Sequence, residues 1–325
     1  MCIFAPEFDK DNIPLVMKHI LTLTLSPTID KSTSVEKIVA EHKLECNEPK
    51  FEPGGGGINV SRALKRLGLQ STAVFTSGGL SGKLLQELLE HEDIAQHPIE
   101  TYHPTRENFI VVNRASNEQF RFGMPAPALI AGEEDKILKE VKQMAAKASY
   151  IVASGSIPKG VSADFLAKIA RIAHQEDARL VVDTSGEALE QAIEEGIYLL
   201  KPNQSELRKL TGMEVDDNES LEEAARIIVN KGKCGIVVVS MGPQGAYAIT
   251  KDQAEFVSAP SVKKRSTVGA GDSMVAGMVY GCVNNYDLGH IVRMGIACGS
   301  AATMNHGTEL FKTADVDRLY EWLTK

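Results

Sequence analysis

Several large classes of protein are excluded by what this chain of 325 residues does not contain. Its five cysteines (Cys2, Cys46, Cys234, Cys282 and Cys298) are odd in number and widely spaced, and no two form a C-x-x-C pair. That pattern suits reduced thiols in a cytosolic protein better than a disulfide framework or a zinc site. No apolar run approaches the roughly 20 residues a membrane-spanning helix needs. Residues Met1–Val16 lack a basic stretch followed by a long apolar core, so they do not read as a signal peptide. Met17 directly precedes a strand-like run, and residues 1–16 are expected to be a disordered, dispensable extension from an upstream start. Positive charge is also scarce: the formal net charge is −8 and the isoelectric point about 5.6. An acidic chain has no general attraction for nucleic acid or anionic lipid. The only tight basic run, Lys263-Lys264-Arg265, is too short for a nucleic-acid footprint. Internal repeats and low-complexity segments are absent too. A cytoplasmic protein with no nucleic-acid and no membrane partner is expected.

What the chain does contain is an ordinary globular composition, 43% hydrophobic and 24% charged, in a length ample for a core without disulfide or metal staples. Short apolar runs without alternation (20–25, 71–75, 150–153, 180–183, 198–200 and 236–240) read as strands buried on both faces. Helical patterns at 58–67, 82–91, 162–175, 186–195, 204–211 and 220–231 fall between them. In the first, Arg62, Lys65 and Arg66 are expected on the polar side. This alternation predicts an α/β fold with a mostly parallel sheet covered by helices. Residues 31–52 and 100–124 break the rhythm with β-like runs lacking helices; Phe109–Asn113 and Gln119–Phe122 flank a hairpin turn. These segments are expected to form a small sheet, either a lid over a cleft or an edge extension. The main domain is then 17–30, 53–99 and 125–325.

Three motifs carry chemistry. In Ser266-Thr267-Val268-Gly269-Ala270-Gly271-Asp272, followed by a helical run of small residues, two glycines let backbone N–H groups converge on an anion. The helix start adds unpaired N–H groups and a positive dipole end. Asp272 at the edge of this nest is placed to accept a proton. The same residues also suit an ordinary glycine turn with a helix-terminal aspartate. In Pro53-Gly54-Gly55-Gly56-Gly57-Ile58-Asn59, four glycines expose backbone to a close ligand, and Asn59 can both donate to and accept from a hydroxyl. No Gly-Lys-Ser/Thr follows, so this is not a Walker A loop. In Lys201-Pro202-Asn203-Gln204-Ser205-Glu206, Asn203 and Glu206 share a helix face. Their oxygens suit Mg²⁺, and equally an Asn-headed capping box.

Taken in order, these motifs resemble the PfkB, or ribokinase-like, family of sugar kinases. The likeness runs from about Met17 to the C-terminus, through LTLSPTID (23–30), FEPGGGGIN (51–59), SGSIPKGV (154–161), VVDTSGEAL (181–189), KPNQSEL (201–207), SMGPQGA (240–246), STVGAGDSM (266–274) and GSAATMNHGT (299–308). It leans toward the 6-phosphofructokinase branch. The resemblance implies a three-layer α/β/α fold with a β lid and a homodimer joined through the lids. It also implies in-line transfer of the ATP γ-phosphate to the 1-hydroxyl of fructose 6-phosphate. Alternatives are a tagatose 6-phosphate or fructose 1-phosphate kinase, or a catalytically silent binding homologue. By position it implies Asp272 as base and Gly269, Ala270 and Gly271 as anion hole. Asp30, Gly54, Gly55 and Asn59 fall at sugar contacts, and Arg106 and Ser156 at contacts to the sugar's phosphate. Lys43 belongs to the lid. Lys201, Asn203, Ser240, Gly242, Gly245, Lys264 and Ser300 fall in the nucleotide region, and Glu206 at the Mg²⁺ position. Ser266, Val268, Ala302, Asn305 and Gly307 match a loop for a monovalent cation such as K⁺.

The residues depart from the family pattern at two places. Glu45 and Glu309 both stand where the resemblance leads one to expect a basic residue. Gly56 is a further clue: fructose 1-phosphate and tagatose 6-phosphate kinases often read Gly-Gly-Lys-Gly there, so the all-glycine run favours fructose 6-phosphate.

Overall fold

The computed structural model describes residues 19–231, 234–305, 307 and 309–325. The extension expected at 1–16 lies outside them. The chain opens with β1 (His19–Thr24), β2 (Thr28–Val35), β3 (Lys50–Gly54), α1 (Gly56–Arg66), β4 (Ser71–Ser77) and α2 (Gly79–His91). There follow β5 (Ala95–Glu100), β6 (Arg106–Asn113), β7 (Glu118–Phe122), α3 (Glu133–Ala145), β8 (Ala148–Ser154) and α4 (Phe165–Gln175). Next come β9 (Arg179–Asp183), α5 (Glu187–Glu195), β10 (Ile197–Leu200), α6 (Gln204–Thr211), α7 (Asn218–Asn230) and β11 (Cys234–Ser240). The chain ends with β12 (Gly245–Ile249), β13 (Ala254–Ser258), α8 (Ala270–Val283), α9 (Leu288–Thr303) and α10 (Thr313–Thr324).

Among the described residues nine strands form one sheet, in the order β13-β12-β11-β10-β9-β8-β1-β4-β5. All neighbours are parallel except β11–β12 and β12–β13, which are antiparallel. Alternate residues of each strand enter opposite apolar layers. Leu21, Leu23, Ile151 and Ala153 join one, with Val141, Phe165, Leu189 and Leu221 from α3, α4, α5 and α7. Ile20, Tyr150 and Val152 join the other, with Leu64, Val275, Ile296 and Leu319 from α1, α8, α9 and α10. Burial on both faces is why these strands read as unbroken apolar runs. The result is a three-layer α/β/α domain. No helix of the described residues is long and apolar enough to cross a membrane.

A second sheet has the order β3-β2-β6-β7. It reaches further than the 31–52 expected for its first part, because β2 starts at Thr28 and β3 runs to Gly54. Asp30, which the expected boundaries put in the main domain, therefore lies inside β2. The chain leaves the large sheet at Thr24, passes Pro27, and enters the small one. Ile29 packs under it with Ile58 and Phe75, whereas β7 is exposed along its whole length.

Candidate active site

Because seven strands of the large sheet run parallel, their C-terminal ends lie along one edge, where α/β proteins bind ligands. Ser154, Asp183, Leu200 and Ser240 close β8, β9, β10 and β11 there. Residues 201–203 continue from β10, and Asn203 bridges to Ser240. The Ser240 amide donates to Pro202 O at 2.9 Å. Gly242 and Gly245 follow in left-handed backbone (φ 57° and 120°).

Gly269, with φ 70°, caps the N-terminus of α8, a conformation that favours glycine. The helix behind it is buried on nearly every side, from Ser273 to Cys282. Gly277 lets it approach α9, since a Cβ there would stand 2.6 Å from Met294 O. A turn on so firmly packed a helix holds its N–H groups in place. Asp272, in the first helical turn, accepts a 2.9 Å hydrogen bond from Asn59 Nδ2. The two glycine-rich segments, more than two hundred residues apart in sequence, thus meet at one carboxylate.

Asn59 is held in turn. Arg62 Nη1 donates to Asn59 Oδ1 at 3.3 Å and to Pro53 O at 3.0 Å, and the guanidinium makes paired bonds of 2.6 and 2.7 Å to Glu92. Arg62 is 3% exposed, which corrects the expectation of a polar-face residue. The Glu92 pairing and the bond to Asn59 make its burial tolerable. On the other side Lys201 Nζ lies 2.9 Å from Asp183 Oδ1 and 3.8 Å from where a Cβ on Gly271 would be. Burial works against the lysine's charge, but Asp183 outweighs it and holds the pKa above the usual lysine value. Burial, with the Asp183 charge second, pushes the Asp272 carboxyl up to about 6; the bonds from Asn59 and Ser154 and the Lys201 charge restrain the shift.

Asp30 is also buried, which raises its pKa, and Asn108 Nδ2 donates to it at 2.9 Å. Gly54 sits so close that a Cβ there would stand 2.8 Å from Asp30 Oδ2. Gly55 (φ 114°) caps α1. Arg106, at the start of β6, donates to Ser26 O at 3.2 Å and Met124 O at 3.0 Å. Its Nε and the Ser26 hydroxyl are buried with no hydrogen-bond partner, and burial lowers its pKa. Ser156 is exposed just past β8. Asn203 and Glu206 form the capping box of α6, with bonds of 2.8 and 2.9 Å. Glu206 uses its Oε2 there. No three His, Cys, Asp or Glu side chains gather to hold a metal alone among the described residues.

The segment before the turn runs beside the end of α9. The amides of Arg265 and Ser266 donate to Thr303 O, and Ser266 Oγ donates to Gly307 O at 3.2 Å. Asn305 N donates to Ala302 O. These are neutral carbonyl and hydroxyl oxygens, the donor type that suits K⁺. Lys264 is exposed, Ser300 partly so, and Gly299 next to it packs on Ala270 O. Lys43 and Glu45 are exposed in the long connection between β2 and β3. Asp183, Ser154 and Asn108 were not singled out from sequence, and Arg62 was expected only as a polar-face residue. Asp183 had one usable signal: like Ser154 and Ser240, it directly ends a buried strand.

Known proteins resemble the chain throughout. A family model described as pfkB family carbohydrate kinase matches residues 22–314. The ATP-dependent 6-phosphofructokinase isozyme 2 of Escherichia coli (strain K12) is 44% identical over 310 residues, covering 95% of this chain and 100% of that one. The protein of the same description from Mycobacterium tuberculosis (strain CDC 1551 / Oshkosh) is 39% identical over 303 residues, covering 93% and 89%. The crystal structure of the phosphofructokinase-2 from Escherichia coli in complex with potassium superposes with a TM-score of 0.90, at 44% identity over 95% of this chain and 100% of that one.

Proposed function

This chain belongs to the pfkB family of carbohydrate kinases, and we propose from that premise that it transfers the γ-phosphate of ATP to the 1-hydroxyl of fructose 6-phosphate, giving fructose 1,6-bisphosphate and ADP. The observation that carries the reading is the 2.9 Å bond between Asn59 and Asp272 at the N-terminus of α8. It joins a site suited to sugar hydroxyls to a cradle suited to phosphate.

In this reading Asp30 and Asn59, with the close backbone of Gly54 and Gly55, hold the sugar hydroxyls. Arg106 and Ser156 hold the phosphate already on the sugar; the unpartnered Nε of Arg106 supports this, since a guanidinium reads phosphate through such donors. The nucleotide lies across residues 201–203, Ser240, Gly242, Gly245, Lys264 and Ser300. Asp272 accepts the proton of the 1-hydroxyl as that oxygen attacks in line. The N–H groups of Gly269, Ala270 and Gly271 steady charge on the transferred group, and Lys201 adds a fixed positive charge beside them. A carboxyl titrating near 6 is ionised at neutral pH yet basic enough to act. Glu206 would help to hold Mg²⁺, which would supply charge neutralisation for the polyphosphate. The loop of Ser266, Val268, Ala302, Asn305 and Gly307 holds K⁺ behind the anion turn.

Gly56 supports fructose 6-phosphate over the alternatives. A Cβ there would lie 2.5 Å from Gly155 N and 2.6 Å from Ser154 C, so this chain packs too tightly for the lysine those kinases often carry. The small sheet is read as a lid, and the lid as the dimer contact. Phe122 is 50% exposed and Phe120 39% exposed, and a sheet of four strands cannot cover both its faces alone. In this reading the reaction runs in the cytoplasm, where the odd, widely spaced cysteines would stay reduced.

Coupled ADP release against fructose 6-phosphate, tagatose 6-phosphate and fructose 1-phosphate tests the assignment. The highest kcat/KM is expected for the first. A higher value for either of the others reassigns the acceptor, and no turnover on any of them overturns the kinase reading.

A further inference from the structure

Glu309 stands where the family pattern calls for a basic residue, and the structure gives it a partner. Lys50, the first residue of β3, lies 3.0 Å from Glu309 Oε1 and 3.1 Å from Glu52 Oε1. Glu52 is buried, at 6% exposure, and its other oxygen lies 3.6 Å from where a Cβ on Gly307 would be. One edge of the small sheet is therefore tied by charge to the loop that carries Asn305 and Gly307.

The next residue extends the tie to the phosphate cradle. Leu310 is a buried, non-glycine residue in left-handed backbone, with φ 57°. Such a conformation persists only where its surroundings enforce it. Arg66, at the end of α1, does so by donating to the carbonyls on both sides of Leu310, those of Glu309 and Phe311. Held this way, Leu310 Cδ2 stands 2.6 Å from the place a Cβ on Gly269 would occupy. Lys50 and Glu309 rim an open cleft of about 540 Å³ between β3, α1 and this segment, which leaves room for the strand to shift.

We infer that Lys50 and Glu309 are positioning residues that couple the small sheet to the cation loop, so that ordering the loop draws β3 toward the anion turn through Glu309 and Leu310. The inference rests on the reading of Ser266, Val268, Ala302, Asn305 and Gly307 as the site for a monovalent cation. Lys50 and Glu309 touch no reacting atom. Both side chains are about half exposed (55% and 46%), so the tie is weak, salt-sensitive and easily released. Those properties suit a device that opens and closes once per turnover.

Amide hydrogen exchange on the full chain tests the coupling, in KCl and in tetramethylammonium chloride of equal ionic strength. Potassium is expected to slow exchange both in residues 298–305 and in residues 50–54. In Glu309→Gln and in Lys50→Met it should slow only residues 298–305. Residues 50–54 should then exchange about two- to five-fold faster than in the unaltered protein, the worth of an exposed ion pair. The KM for the sugar phosphate should rise by a similar factor and the KM for ATP should stay put. If residues 50–54 keep their potassium response in either variant, the coupling is overturned while the cation loop stands. If residues 298–305 do not respond in the unaltered protein, the cation reading falls and the coupling with it.

Discussion

The two sheets are built on opposite terms. The large sheet is covered on both faces, and its strands contribute mainly apolar residues to two continuous layers. The small sheet buries fewer apolar residues, Ile29, Val35, Ile110 and Val111, and its outer strand β7 is exposed throughout. Yet Asp30, Gly54 and Arg106 all lie on the small sheet, while Asp272 and Lys201 follow from the large domain. In the proposed reading the tightly packed part holds the phosphate chemistry, and the lightly packed part holds half of the groups assigned to the sugar and its phosphate. A kinase gains from that division, because the half that must admit and release a sugar is the half that costs least to move.

The strongest test of the division removes the carboxylate held by the rigid half. Asp272→Asn keeps size and hydrogen bonding but removes the base. A kcat reduction of about 10²–10⁴-fold is expected, with both substrates still bound. The same experiment has a pH arm: kcat/KM of the unaltered enzyme should fall below an apparent pKa near 6. Near-normal kcat in the variant would reduce Asp272 to a helix-terminal charge.

A second pair of substitutions sets the sheets against each other directly. Ile151 in β8 is 0% exposed, and Ile151→Ala should cost about 2–5 kcal/mol in denaturant unfolding. Phe122→Ser, on β7, should change the stability of the folded unit by well under 1 kcal/mol while shifting sedimentation toward monomer. Equal losses of stability would mean that the small sheet belongs to the core after all.

Arg106→Ala probes the small sheet. Losing charge-assisted bonds to the sugar's phosphate should raise the KM for sugar phosphate by roughly 2–3 kcal/mol of binding, with the KM for ATP nearly unchanged. An equal rise in both would place Arg106 outside the sugar-phosphate site.

Legibility in the sequence followed the same line. Groups that are contiguous in the chain could be read: the glycine turn with Asp272, the run at 54–57, and Asn203 with Glu206. The strands β1, β4, β8, β9, β10 and β11 could be read as well, because burial on both faces leaves unbroken apolar runs. What could not be read is pairing across the fold. Asn108 meets Asp30 across 78 positions and Lys50 meets Glu309 across 259, and no local pattern marks either. The edge strands β5 and β13 mix polar and charged residues with few apolar ones, and β12 is only five residues long, so none stands out. Helix α4 starts at Phe165 rather than Ser162 because Glu134 binds both the amide and the hydroxyl of Ser162. Glu309, by contrast, was visible as a departure before its partner was.

The smallest expected effect asks whether the rigid half carries a standing cost for its chemistry. The folded-state pKa of Asp272, about 6, lies above the 3.8 of a free aspartate. The folded protein therefore prefers the protonated carboxyl. Whatever stability this gives is complete below pH 3.8 and is lost as the pH rises through about 6, where the group must ionise among protein atoms beside Asp183. Two pH units correspond to about 3 kcal/mol, and residual solvent access at the half-buried side chain discounts that to about 1–2 kcal/mol. Asparagine has the shape of the protonated acid and never ionises. Asp272→Asn and the unaltered protein should thus match in urea unfolding near pH 4 and separate above pH 6, the variant becoming the more stable by about 1–2 kcal/mol at pH 8. A gap that is the same at every pH would trace to packing instead. A wild type more stable at pH 8 would mean that Asn59 and Lys201 more than offset the burial of the charge, and that the site holds its base without strain.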